Sequence, residues 1–324
     1  MDSLPVVRAA DLEDSDPARA WLVEPLWARA GVGIIGGAPK CCKSWLGLDL
    51  ALSVASGTPC LGRFPVADAG DVLLFMAEDS GAVVRARLAG LCRHRGIDFA
   101  LLPIHVITAP VLRLDLEIDQ RRLAETVRRF APRVLLLDPF VRLHRIDENN
   151  SGDVSALLAY LRALQREHDV AIVVVHHARE NPAPGVAPGQ GLRGSGDFHA
   201  WGDSNLYLRR QKGDLGLAIE HRAAPAAAPL TLALAGSDEG NPHLEVVDGR
   251  RPVDPVATLD LDAQVVLTLS DGGPLSREDL RAALRVRNER LGGALQRLAA
   301  QGRIRRHGDR WVHPATSVPS PDSL

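Results

Sequence analysis

The sequence predicts an α/β fold: a parallel central sheet covered by helices on both faces, followed by a smaller, mostly helical unit. Three observations carry this. Short, continuously apolar runs alternate with longer amphipathic ones through residues 31–175, the texture of strands buried on both faces and joined by helices. A glycine-rich turn follows the first apolar run and opens a helix. The chain has 324 residues, a length that commonly makes two domains.

In chain order, residues 1–30 mix an acidic stretch with an apolar patch around Trp21 and Trp27. Strands are expected at 32–35, 71–77, 104–107, 134–137 and 170–175. Helices are expected between them at 43–55, 83–95, 118–130 and 154–167; the first repeats Leu46, Leu50 and Val54 every four residues. Residues 181–196 are rich in Gly and Pro and read as a long functional or disordered loop. Shorter antiparallel strands follow at 205–210, 215–221, 230–235 and 243–247. Near the C-terminus, 261–270 and 288–301 read as helices, and Ser276 with Asp279 makes a capping-box start for a helix between them. Residues 303–313 read as a hairpin turning at His307, Gly308 and Asp309.

Composition excludes several classes. No apolar run reaches the roughly 18 residues of a membrane span, and Met1 to Val6 carry no basic region ahead of an apolar stretch. Cys41, Cys42, Cys60 and Cys92 show neither a disulfide framework nor metal-ligand spacing, which fits a reducing, cytoplasmic setting. The net charge is −2, from 38 basic and 40 acidic residues. That average conceals two skews. Only Lys40, Lys43 and Lys212 are lysine, so 35 of the 38 basic residues are arginine, which reads as a GC-rich genome. Residues 275–313 carry ten Arg against Glu278, Asp279, Glu289 and Asp309, a net of +6, leaving −8 elsewhere.

The chemistry concentrates at strand ends. Gly37, Ala38, Pro39, Lys40, Cys41, Cys42, Lys43 and Ser44, followed by Trp45, match the phosphate-loop pattern G-x-x-x-x-G-K-[ST], except that Cys42 replaces the second glycine. Backbone N–H groups at a helix start face phosphates, Lys43 supplies a compact charge, and Ser44 a hydroxyl for Mg²⁺. Two of three lysines lie here, where the planar fork of arginine would not fit. A cysteine at position 42 is expected to weaken binding through crowding or an unfavourable backbone angle. Asp138 ends an apolar strand, the Walker B pattern, and is expected to hold Mg²⁺. Glu78 ends another and is placed to activate water; a helix N-cap is the alternative for each acid. For His176 and His177, sensing the γ-phosphate competes with metal ligation and with a simple capped strand end; adjacent strand residues face opposite ways.

In this order the strings Gly36 to Trp45, Ala77-Glu78-Asp79, Leu137-Asp138-Pro139, His176-His177 and Leu192-Arg193-Gly194-Ser195 resemble the RecA-like P-loop ATPase fold. More narrowly, they resemble plasmid RepA-type hexameric replicative helicases and related AAA-family ATPases of plasmids and phages. The resemblance implies ATP and Mg²⁺ as cofactors, with Lys43, Ser44, Glu78, Asp138 and His177 as the ATPase centre. It also implies a ring, a loop over 181–196 facing single-stranded DNA in the channel through Arg193, and an arginine finger acting on the neighbouring subunit. Arg209, Arg210 and Lys212 are the finger candidates; a solvated strand edge is the other reading.

The C-terminal unit resembles a winged helix-turn-helix. Arg285, Arg287, Arg290 and Arg297 would line its third helix and Arg303, Arg305 and Arg306 its wing, attracting duplex phosphates; a protein-docking role with a solvated basic face is the alternative. The expected organisation is an N-terminal segment (1–30), the ATPase domain (31–250), a linker (251–260), the winged helix (261–313) and a disordered tail (314–324). The function expected is a DNA-acting ATPase, in one reading a mobile-element helicase and in the other a nucleotide-gated regulator or replication initiator with little turnover.

Overall fold

A computed structural model of the chain describes residues 4, 6–11, 20–148, 150–177, 196–211, 214–225, 227–236, 240–247, 261–284, 286 and 288–313. These fall into two compact units, one ending at 247 and the other beginning at 261.

The first unit opens with a hairpin, β1 (Trp21–Val23) and β2 (Trp27–Ala28). Residues 21–28 thus pack on the core of this unit. Leu22, Val23, Leu26 and Trp27 are buried. The Trp27 indole donates to the Gly31 carbonyl at 3.1 Å, and the Ala28 amide donates to the Ser204 hydroxyl at 2.9 Å.

Next come β3 (Val32–Gly37), α1 (Lys43–Ser56), β4 (Val72–Met76), α2 (Gly81–Arg95), β5 (Ile104–Val106), α3 (Glu117–Phe130), β6 (Val134–Asp138), α4 (Ser151–His168), β7 (Ala171–His177) and α5 (Gly196–Trp201). Strands β8 (Ser204–Gln211), β9 (Asp214–His221), β10 (Leu230–Ala235) and β11 (His243–Val246) complete the unit, each of the last three antiparallel to the strand before it. All nine strands from β3 to β11 form one sheet, ordered β11-β10-β9-β8-β3-β7-β6-β4-β5. From β8 to β5 every neighbouring pair is parallel.

Side-chain alternation assigns the two faces. Ile35, Leu136, Val173, Val175, Leu206 and Leu208 pack with α1 and α2. Ile34, Leu135, Leu137, Val174 and Tyr207 pack with α3 and α4. Both faces are dry, so these strands are apolar throughout. Two glycines allow close approach. A Cβ on Gly33 would lie 1.7 Å from the Ser204 carbonyl oxygen, so only glycine fits where β3 meets the start of β8. A Cβ on Gly47 would lie 3.2 Å from Leu136, which lets α1 settle tightly over β6.

In the second unit, α6 (Leu261–Gly272), α7 (Arg277–Leu284) and α8 (Asn288–Ala300) surround Val265, Leu269, Leu280, Leu291, Leu295, Leu298 and Ile304. Strands β12 (Leu275–Ser276), β13 (Arg305–His307) and β14 (Arg310–Val312) form a small antiparallel sheet, ordered β12-β14-β13. The capping expected at Ser276 is present: its hydroxyl accepts from the Asp279 amide at 3.1 Å, while Asp279 accepts from the Ser276 amide at 3.2 Å. No described helix is long and apolar enough to cross a membrane.

Candidate functional site: a phosphate loop between strand ends

The loop after β3 runs into α1, whose first turn has no side-chain cap. Uncapped N–H groups at a helix start form an anion site, reinforced by the helix dipole. Lys43 is buried, and its ammonium donates to the carbonyls of Gly37 and Ala38 at 3.0 and 2.8 Å, closing the loop on itself. Burial pushes the Lys43 ammonium down, while the Asp138 and Glu78 carboxylates favour its charge. Pro39 and Lys40 are exposed on the loop, and Cys41 is buried.

Cys42 stands in the left-handed region, with φ 60° and ψ 24°. The backbone angle unfavourable to a cysteine is the one the loop adopts. Non-glycine residues are held there at a cost of about 1–2 kcal/mol.

Asp138 ends β6 on the α1 face, by alternation with Leu136. Its carboxyl is pushed up to about 6, chiefly by burial and further by the Asp79 and Glu78 charges; hydrogen bonding from Ser44 and the charge of Lys43 oppose the rise. Oδ2 is buried without a hydrogen-bond partner among the described residues. A buried carboxylate oxygen left unsatisfied next to a hydroxyl is a donor set suited to a small hard cation such as Mg²⁺.

Glu78 lies just beyond β4, which is tied to β6 where the Ala77 amide donates to the Asp138 carbonyl at 2.7 Å. Its Oε1 accepts from Arg142 Nε at 2.8 Å. No motif marks Arg142 in the sequence; its one signal is a basic residue four positions after Asp138. Trp45, half-buried at the start of α1, lies 5.4 Å beneath the Arg87 guanidinium, which also pairs with Asp79.

The histidines part company. His177 pairs in register with Gly37 and by alternation shares the α1 face with the phosphate loop. His176 requires a correction. It is 1% exposed, stacked on Phe198 at 4.3 Å and edge-on to Phe140 at 5.9 Å. Those rings belong to the opposite face of the sheet, so His176 lies on the face turned away from the phosphate loop.

The finger candidates also separate. Arg209 follows Tyr207 onto the α3–α4 face, away from the loop. Arg210 follows Leu208 onto the α1 face and reaches Cys42 of its own chain, Nη2 to Sγ 3.8 Å. The resemblance directs a finger from among Arg209, Arg210 and Lys212 to a neighbouring subunit, with a solvated strand edge as the other reading. Lys212 and Arg193 lie outside the described residues.

A family model described as an AAA domain matches residues 2–183, more than half of the chain. The chain belongs to the AAA domain family. Strands β8 to β11 and the whole second unit lie beyond the matched part of the AAA domain. Among solved structures, the chain is similar to a DnaB-like replicative helicase, from a study of its interactions with primase, at 17% identity and a TM-score of 0.50. That match covers 66% of this chain and 57% of the helicase, so the chain spans little more than half of that protein's length. It is also similar to the RadB recombinase at 18% identity and a TM-score of 0.48, covering 68% of this chain and 92% of RadB. The shared fold is the RecA-like P-loop NTPase core with a mostly parallel central sheet.

In the second unit, the expected DNA-facing arginines are divided. Arg297 pairs with Asp262 through Nη2 at 2.7 Å and Nε at 3.1 Å, with its side chain still more than half exposed. Arg290 and Arg297 share a cleft with Asp262 and Glu289, so its cations face carboxylates. Arg303, Arg305 and Arg306 are exposed around the β13–β14 hairpin. Arg285 and Arg287 lie outside the described residues.

Proposed function

We propose that this AAA domain protein is a Mg²⁺-dependent ATPase, assembled as a hexameric ring and acting on DNA as a replicative helicase of a plasmid or phage. The observation that carries the reading is the buried oxygen of Asp138, unpartnered among the described residues, with Ser44 beside the same carboxylate, under an uncapped helix start. Gly37, Ala38, Pro39, Lys40, Cys41 and Cys42 supply the backbone cradle, with Trp45 at its edge. Lys43 exchanges its loop carbonyls for phosphate oxygens. Ser44 and Asp138 would hold Mg²⁺, which supplies charge neutralisation on the phosphates. Glu78, oriented by Arg142, takes the proton of the attacking water, and His177 answers to the γ-phosphate beside Gly37.

The division into an ATPase domain, a linker and a winged helix belongs to the same proposal, as do DNA contacts through the 181–196 loop and through Arg303, Arg305 and Arg306. The likeness to a DnaB-like replicative helicase supports a shared fold; the role in DNA unwinding is our reading. A nucleotide-gated regulator or initiator is favoured by one feature, the strained Cys42 in the phosphate loop.

The deciding experiment measures ATPase rate with and without single-stranded DNA, on protein sized by light scattering, together with separation of a forked duplex. Stimulated hydrolysis with unwinding is expected. ATP binding without DNA-stimulated turnover would establish the regulator instead.

A further inference from the structure

We infer that Arg210 acts in cis, contributing its guanidinium to the phosphates bound by its own chain's loop. This rests on the ATP-binding reading above and specifies a residue that reading leaves open.

The argument begins with strand register. β8 lies directly beside β3, and Leu208 is the parallel partner of Gly37, the residue that opens the phosphate loop. The approach is tight: a Cβ on Gly37 would lie 2.4 Å from the Leu208 carbonyl oxygen. Two residues beyond Leu208 and on the same face, Arg210 emerges level with the loop. Arg209, one residue earlier, is turned to the other face by the two-residue period of the strand. One arginine of the pair is therefore aimed at the loop by backbone geometry alone.

The contact itself is specific. Arg210 Nη2 lies 3.8 Å from the Sγ of Cys42, the residue standing in place of the loop's second glycine and immediately before Lys43. Its charge is felt there, since it favours the Cys42 thiolate against the larger effect of burial. A guanidinium at that point faces the side of the cradle opposite Asp138 and offers a fork matched to phosphate oxygens. Cysteine leaves a side chain where the pattern has none, and Arg210 packs on it, so the substitution and the arginine form one arrangement.

The test measures nucleotide affinity at a dilution where light scattering reports a monomer. Arg210→Ala should weaken the Kd for a fluorescent ATP analogue about tenfold or more, as for loss of a hydrogen bond to a charged group. Arg210 is exposed, so circular dichroism should report an unchanged fold. In a second arm, Arg210→Ala subunits are mixed with Lys43→Ala subunits under assembly conditions. A cis residue gives no rescue, because neither subunit has a complete site. An unchanged monomer Kd, or ATPase activity of the mixture above that of both variants alone, overturns the inference. Absence of nucleotide binding by the wild-type chain overturns the ATPase reading along with it, whereas wild-type binding that Arg210→Ala leaves untouched sinks the inference alone.

Discussion

Arg142 Nε donates to Glu78 Oε1 at 2.8 Å, joining the segments that follow two adjacent parallel strands. Both groups are half exposed to water, so the pair adds little to stability, about 0–1 kcal/mol. Its effect is positional. Glu78→Gln should abolish turnover while leaving nucleotide binding intact. Arg142→Ala should lower kcat about tenfold, in the range lost when a catalytic base is misplaced, with KM and Tm nearly unchanged. A steady-state series checks this; a fall in Tm with unchanged kcat would make the pair merely structural.

Cys42 occupies left-handed backbone with φ 60°. Cys42→Gly should stabilise the protein by about 1 kcal/mol by removing that strain and tighten nucleotide binding. Cys42→Ala keeps the Cβ and therefore the strain, so it should gain neither. Thermal melts and calorimetric Kd values for the two variants separate backbone strain from thiol chemistry.

Asp138 sets a pH dependence. Burial raises its carboxyl from 3.8 to about 6, so the folded protein holds that proton more tightly than the unfolded chain. The destabilisation grows as pH rises through this interval and is complete above it. Asp138→Asn should therefore raise the stability of the nucleotide-free protein by about 2–3 kcal/mol at pH 8, with the gain vanishing near pH 4. The same variant should lose Mg²⁺-dependent ATP affinity. In the wild type that affinity should rise as pH increases through about 6. Denaturant melts at pH 4.5 and 8 test the first part, and calorimetry with Mg²⁺ and nucleotide the second.

Gly33 should tolerate no side chain. With a Cβ 1.7 Å from the Ser204 carbonyl oxygen, Gly33→Ala must push β8 off β3. A loss on the order of 3 kcal/mol is expected, read by urea denaturation. Nucleotide affinity should fall as well, because β8 carries Arg210 to the loop.

What the sequence determined by itself was local. Apolar runs and helical periods place β3, β4, β6 and β7 and the helices between them to within a few residues. The phosphate-loop string locates the uncapped start of α1, and Ser276 with Asp279 marks the start of α7. These depend on neighbours along the chain, so a single sequence carries them. Opposite faces for His176 and His177 were also legible, since alternation is a property of one strand.

Tertiary structure decided which face matters. Only the placement of α1 over β6 and β7 turns His177 toward the phosphate loop and leaves His176 under Phe198. Only the insertion of β7 between β3 and β6, and of β8 beside β3, sets the distances among Lys43, Asp138 and Arg210. The Glu78–Arg142 and Asp262–Arg297 pairs likewise join residues 64 and 35 positions apart. Strand order and ion-pair partners are set by non-local contacts, whose energies depend on the packed surfaces that only the folded chain brings together. For that reason the chemistry of each residue type could be read directly, whereas its partner had to be found in the fold.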